Sequence, residues 1–96
     1  MPLQNKITVI KFTRKNCGPC RTLEQVLASM ESALPGVDFI SFDADENPEK
    51  VQEYEVHSVP LILIESNGEV LRHLSGIVSR EKLLWTIGEV KRETGT

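Results

Sequence analysis

The chain has 96 residues, a formal net charge of −3, 40% hydrophobic and 26% charged residues. That length supports one hydrophobic core and not two, so residues 1–96 are read as a single domain. The acidic balance argues against a general nucleic-acid binder, whose affinity rests on neutralising phosphates. No stretch approaches the roughly 20 apolar residues of a membrane span.

In chain order, the start Met1-Pro2-Leu3-Gln4-Asn5-Lys6 has no apolar core followed by a small-residue cleavage site. A cytoplasmic protein is expected by default. Lys6 to Thr13 is rich in β-branched residues and partly period-2, which predicts a strand. Arg14-Lys15-Asn16 is a polar break. Leu23, Val26, Leu27, Met30 and Leu34 then recur at helical spacing until Pro35-Gly36 stops the helix. Val37 to Phe42 is a second strand. Pro48 suits a first helical position with Asn47 as N-cap, and a short helix to about Glu55 buries Val51 and Tyr54. Leu61-Ile62-Leu63-Ile64 follows Pro60 as a strand buried on both faces. Asn67-Gly68 is a hairpin signal, with its second strand from Glu69 to Leu74 and a break at Gly76. Ser79 caps a last helix whose apolar stripe is Leu83, Leu84, Ile87 and Val90. The Glu93 to Thr96 end is expected to fray.

The resulting order is β-α-β-α-β-β-α, an α/β fold with a mixed central sheet flanked by helices. The first three strands, joined through helices, are expected to be parallel or at least to share one sheet, and the hairpin adds an antiparallel edge pair.

The two cysteines of the chain are Cys17 and Cys20. A disulfide stabilises mainly by closing a long loop in the unfolded chain, and a bridge between such near neighbours closes almost none. A C-x-x-C pair at a strand-to-helix junction reads instead as a redox motif. With the helix beginning at or just after Cys17, its unpaired N–H groups and positive dipole end face the first sulfur and favour the thiolate. Cys17 is then the nucleophile, and Cys20, one turn further on, resolves the mixed disulfide. Pro19 removes an N–H where donors are partly unsatisfied anyway.

Over nearly its whole length the chain resembles thioredoxin. The resemblance rests on Cys17-Gly18-Pro19-Cys20 after a strand ending near Phe12, and on Asp45-Glu46-Asn47-Pro48 before the second helix. Val59-Pro60 before a buried strand, Asn67-Gly68-Glu69 and Gly76 complete it. It implies a cis Pro60 beside the disulfide. It further implies that Val59 and Pro60, with Gly18, Pro19 and Gly76, hold the substrate's extended chain beside Cys17. It implies a protein-disulfide reductase with no bound cofactor, acting as a monomer and recharged by a flavin-dependent thioredoxin reductase.

The departures from the family are specific. Asn16 stands where the family has a tryptophan, and Thr13 where it has another. Lys11 replaces the buried aspartate held to take the proton of the second cysteine, and Ser41 replaces that aspartate's lysine companion. The family's extra N-terminal strand and helix are missing ahead of Lys6, so a trimmed variant is expected. Deprotonation of Cys20 then needs another route, through water or the departing thiolate. Lys11, Arg14, Lys15 and Arg21 form a run of four cations with no acid between residues 11 and 21. They either stabilise the Cys17 thiolate and favour acidic partner surfaces or form a solvated loop edge.

Other signals are weaker. Asp43 to Asn47 matches half a calcium loop, but Pro48 stands where the turn needs glycine and Tyr54 where glutamate is needed. Cys17, Cys20, His57 and His73 lack zinc-finger spacing, so no metal site is expected. His57, near Pro60, is a tuning candidate for partner choice, and Trp85 is expected against the sheet edge or partly exposed. Alternative functions are a glutaredoxin-like or ribonucleotide-reductase electron donor, and a non-enzymatic binding subunit of thioredoxin fold.

Overall fold

The computed structural model describes residues 6–95. The Met1 to Asn5 stretch, read above as free of a leader, lies outside the described residues, as does Thr96. The elements are β1 (Ile7–Thr13), α1 (Gly18–Glu31), β2 (Val37–Asp43), α2 (Pro48–Glu53), β3 (Leu61–Ser66), β4 (Glu69–Ser75) and α3 (Arg80–Thr94). They form a four-stranded sheet in the order β2-β1-β3-β4. β1 is parallel to β2 and antiparallel to β3, and β3 is antiparallel to β4.

The first three strands share one sheet, the weaker of the two expectations, but β3 is not parallel to β1. α2 has 6 residues and is about 9 Å long, against the ~20 Å that a return along a strand of β2's length requires. The chain therefore does not cross back, and β3 starts at the end of the sheet where β2 stops. The same brevity ends α2 at Glu53, two residues before the predicted boundary. Asn47 precedes it as predicted, but its side chain makes no cap bond and donates to the Asp43 carbonyl instead.

Alternation along β1 divides its side chains between two layers. Ile7 and Val9 join Leu23, Leu27 and Met30 of α1 and Leu83, Ile87 and Val90 of α3 on one face. Ile10 and Phe12 face the other way, packed with Phe42, Val51, Tyr54 and Val56. β3 feeds both layers, Ile62 and Ile64 one side and Leu61 and Leu63 the other, which is why its sequence shows no polar alternation. Phe12 is fully buried and stacks on Phe42, with Tyr54 edge-on. Truncating such a ring to alanine costs about 3–5 kcal/mol.

Asn67 and Gly68 both take positive φ, 52° and 86°, the backbone that a tight two-residue hairpin requires. The Asn67 N–H donates to the Lys6 carbonyl, and the Asn67 Oδ1 accepts from the Lys6 N–H. The turn is thereby tied to the start of β1. Leu84, placed in the buried stripe of α3 by its spacing, is exposed together with Trp85, whose ring carries the Lys82 ammonium. Thr86 instead lies buried, donating its hydroxyl to the Lys82 carbonyl. The C-terminal segment does not fray at Glu93: α3 runs to Thr94 and closes on Gly95 in the left-handed conformation. Glu93 reaches Arg72 of β4, and that guanidinium holds its carboxyl below the usual range.

Ser79 caps α3 as predicted, its hydroxyl accepting the Lys82 N–H at 3.1 Å. Ser79→Ala is expected to lower stability by about 1 kcal/mol in urea denaturation, and Ser79→Asp to retain most of it. The single tyrosine of the chain gives a second check. Burial, then donation of its hydroxyl to Glu65, raises the Tyr54 pKa. Its phenolate absorbance should therefore appear at higher pH than in a tyrosine peptide. The folded state holds the proton more tightly, so this contribution to stability is present below the ordinary tyrosine range and lost as pH rises through the raised value. Glu65→Gln should lower the midpoint.

Candidate active site

Three strand ends meet at one edge of the sheet. Phe12 is in register with Leu61, and Leu61 with Ser75. The end of β1, the start of β3 and the end of β4 therefore lie side by side, and the loops attached to them carry Cys17, Pro60 and Gly76. Residues 17, 60 and 76 are brought to one end of the fold by strand register.

After β1 the chain must turn sharply to begin α1. Asn16 makes that turn at φ 58°, a left-handed conformation that asparagine tolerates better than most side chains. Cys17 follows with extended backbone as the N-cap of α1. Its Sγ accepts the Cys20 N–H at 3.1 Å, and its carbonyl accepts the Arg21 N–H. The first cysteine thus occupies the position where serine or aspartate usually satisfies an unpaired helical donor. Pro19 stands in the first turn, where its missing N–H costs nothing. Cys17 is half-buried and Cys20 is 1% exposed. Their sulfurs are joined in a disulfide. An attacking group with access to solvent and a sequestered resolving group is the asymmetry that a two-step thiol exchange needs.

The Val59–Pro60 peptide is cis, as the resemblance implied. Pro60 is buried, and its carbonyl accepts the Gly76 N–H at 2.9 Å. Gly76 has φ 78°, a conformation strained for side-chain-bearing residues. Ile77 beside it is 55% exposed, an apolar residue at this edge that no sequence pattern singled out. Gly18 and Pro19 are exposed on the first turn of α1. His57, proposed as a tuning residue, lines one cleft with Tyr54, Val70 and His73 and a second with Leu61 and Ser75 at the strand ends next to Pro60 and Gly76, but not the cleft beside Asn16.

The run of cations takes a different form in space. Arg14 pairs with Asp45 at 3.0 Å and Lys15 with Glu46 at 3.0 Å, joining the loop before Cys17 to the β2–α2 loop. Lys11 pairs with Glu24 of α1 at 3.2 Å. The Glu46 carboxylate raises the Lys15 pKa, first through its hydrogen bond and then through its charge. Among the described residues only Arg21 of the four lacks an acidic partner, so the site is far less positive than its local sequence. Asp43, the first residue of the calcium-like pattern, accepts the Asp45 and Glu46 N–H groups and so shapes that loop. Among the described residues no group of three or more His, Cys, Asp or Glu converges as a metal site.

The sequence matches the family model for Thioredoxin over residues 2–89. The chain belongs to the thioredoxin family. It is 32% identical to thioredoxin H2 of Arabidopsis thaliana over 72 residues, covering 75% of this chain and 54% of that protein. It is 28% identical to thioredoxin of Chlamydia trachomatis over 83 residues, covering 86% of this chain and 81% of that protein. The chain spans about half the length of the plant and fungal relatives it matches. Among solved structures, oxidised mitochondrial thioredoxin 3 of Saccharomyces cerevisiae superposes with a TM-score of 0.80 at 30% identity, over 90% of this chain and 80% of that one. The fold and the family are thereby shown, with Cys17 and Cys20 joined in a disulfide. Against that family, Lys11 lies in register with Ser41, so both departures sit side by side on β1 and β2.

The left-handed turn at residue 16 yields a test. Asn16→Val, a β-branched residue, should destabilise the protein by about 1–2 kcal/mol in chemical denaturation, whereas Asn16→Gly should change it little.

Proposed function

We propose that this protein reduces disulfide bonds in other proteins through a Cys17–Cys20 dithiol/disulfide cycle. The observation that carries the reading is the donation of the Cys20 N–H to the Cys17 sulfur at the N-terminus of α1. That donor and the helix dipole favour negative charge on Cys17. In the reduced protein the Cys17 thiolate attacks one sulfur of a substrate disulfide, forming a mixed disulfide and expelling the other sulfur as a thiolate. Cys20 loses its proton and attacks the Cys17 sulfur. The Cys17–substrate bond breaks, and the second substrate sulfur leaves with its electron pair. The two cysteines end oxidised, and the substrate has gained two electrons.

The buried Pro60, next to Val59, and the bond that its carbonyl accepts from Gly76 support a role for this edge in holding a substrate segment beside Cys17. The sulfur pair itself stores the electrons, so the cycle needs no bound cofactor. The proposal extends to a flavin-dependent thioredoxin reductase as electron source, to a monomer and to the cytoplasm, where a reducing poise returns the pair to its dithiol form. Family membership and the Gly18-Pro19 dipeptide support that electron source over glutathione.

Reductase-coupled reduction of insulin, run beside a glutathione-coupled assay, tests the reading. Wild-type protein should turn over with the reductase, Cys17→Ser should fall to background, and Cys20→Ser should accumulate a mixed disulfide. Turnover only with glutathione would transfer the protein to the glutaredoxin-like alternative. No turnover with either would favour the binding-subunit reading.

A further inference from the structure

Of the four cations near the site, Lys11 is the one held inside. Its side chain is 12% exposed, against 51% for Arg14 and 76% for Lys15. On β1 it shares a face with Ile7 and Val9, which pack against Leu23 and Leu27 of α1, so it points under that helix. Its ammonium meets the Glu24 carboxylate at 3.2 Å. Glu24 lies four residues after Cys20, and helical side chains lean toward the N-terminus, so its carboxylate covers the turn that carries Cys20. The Lys11 ammonium is thus drawn to the same turn as a sulfur that is 1% exposed.

A buried thiol resists ionisation, because burial disfavours the charged form. Resolution of the mixed disulfide nevertheless requires a Cys20 thiolate. We propose that Lys11 is the residue that makes this thiolate accessible: its positive charge, held beneath α1, stabilises the Cys20 anion as it forms. The Cys20 proton passes to water. The new thiolate then attacks the Cys17 sulfur, and the substrate sulfur departs with the electrons of the broken bond. Lys11 exchanges no proton in this scheme; it acts on Cys20 through its field, which the Glu24 carboxylate partly offsets. The inference rests on the disulfide-reductase reading for its biological meaning.

Other charges near α1 are placed differently. Arg21 is on the helix itself and exposed. Asp43, at the end of β2, is engaged by the N–H groups of its own loop. Arg80, at the start of α3, reaches Ser29, nine residues beyond Cys20. Lys6, at the far end of β1, pairs with Asp38 of β2. Arg14 and Lys15 are tied to Asp45 and Glu46.

The test titrates Cys20 alone, in a Cys17→Ala background, by thiolate absorbance and by iodoacetamide alkylation across pH. Lys11→Met, an apolar replacement of similar length, should raise the midpoint by about one pH unit and slow alkylation at neutral pH about tenfold. Lys11→Arg should leave it close to the parent. Glu24→Gln, which removes the compensating charge, should lower it. A merely structural role would move the Lys11→Met and Glu24→Gln midpoints in the same direction, and that result overturns the proposal, as does an unchanged midpoint in Lys11→Met. Arg14→Gln, at an exposed pair, should shift the midpoint far less than Lys11→Met; an equal shift would also overturn it. With both cysteines present, the mixed disulfide should persist about tenfold longer in Lys11→Met at neutral pH. Because the titration needs no turnover, failure of insulin reduction and failure of this inference are separately visible.

Discussion

An α-helix leaves its first N–H groups without partners in its own ladder, and in this protein a sulfur answers one of them. Much of the site follows from that arrangement. Cys17 has to be the cap and not a helical residue, so its backbone is extended and the turn before it falls to Asn16. Cys20 has to be the donor, which places it in the first turn and points its side chain under the helix. One residue ends half in solvent and its partner in the core. The chemical inequality of the two sulfurs is a consequence of where a helix begins.

The sheet completes the site by lining up ends. β1 delivers the cysteines, β3 begins directly after Pro60 and β4 ends just before Gly76, all at one edge. β3 can start there because α2 is too short to carry the chain back along β2. The short helix is thus a condition of the site, and the antiparallel setting of β3 is its visible sign. The pairs Arg14–Asp45 and Lys15–Glu46 span the same edge from the β2 side. Such exposed pairs contribute little to stability, but they cancel a charge that would otherwise dominate the approach to Cys17.

Local signals were readable in the sequence where one residue type has one physical use. Asn67-Gly68 marked the hairpin, Ser79 the cap of α3, and Cys17 and Cys20 the chemistry. The unbroken apolar run of β3 marked a strand buried on both faces. What escaped depends on distance along the chain. The direction of β3 is set by the length of a connection and not by the strand's own residues. The cations Arg14 and Lys15 find acids 31 residues away, so the run looks unbalanced in sequence and is nearly neutral in space. Leu84, expected in the buried stripe of α3, faces solvent while Thr86 is buried, because a threonine that bonds its own helix can be buried without loss. The departure at Lys11 was legible as a residue change; only the fold reveals that Glu24 is its companion.

The placement of β1 has a consequence for how the chain is made. It is the first described strand and an interior one, bonded to β2 on one side and β3 on the other. During synthesis it leaves the ribosome with neither neighbour present. Its β2-side edge can pair once residue 43 has followed, but its other edge stays open until residues up to 66 have followed, and the Asn67 turn then fastens to Lys6. The nascent chain therefore carries an apolar strand with one edge open until β3 has emerged, the kind of exposed segment that chaperones bind.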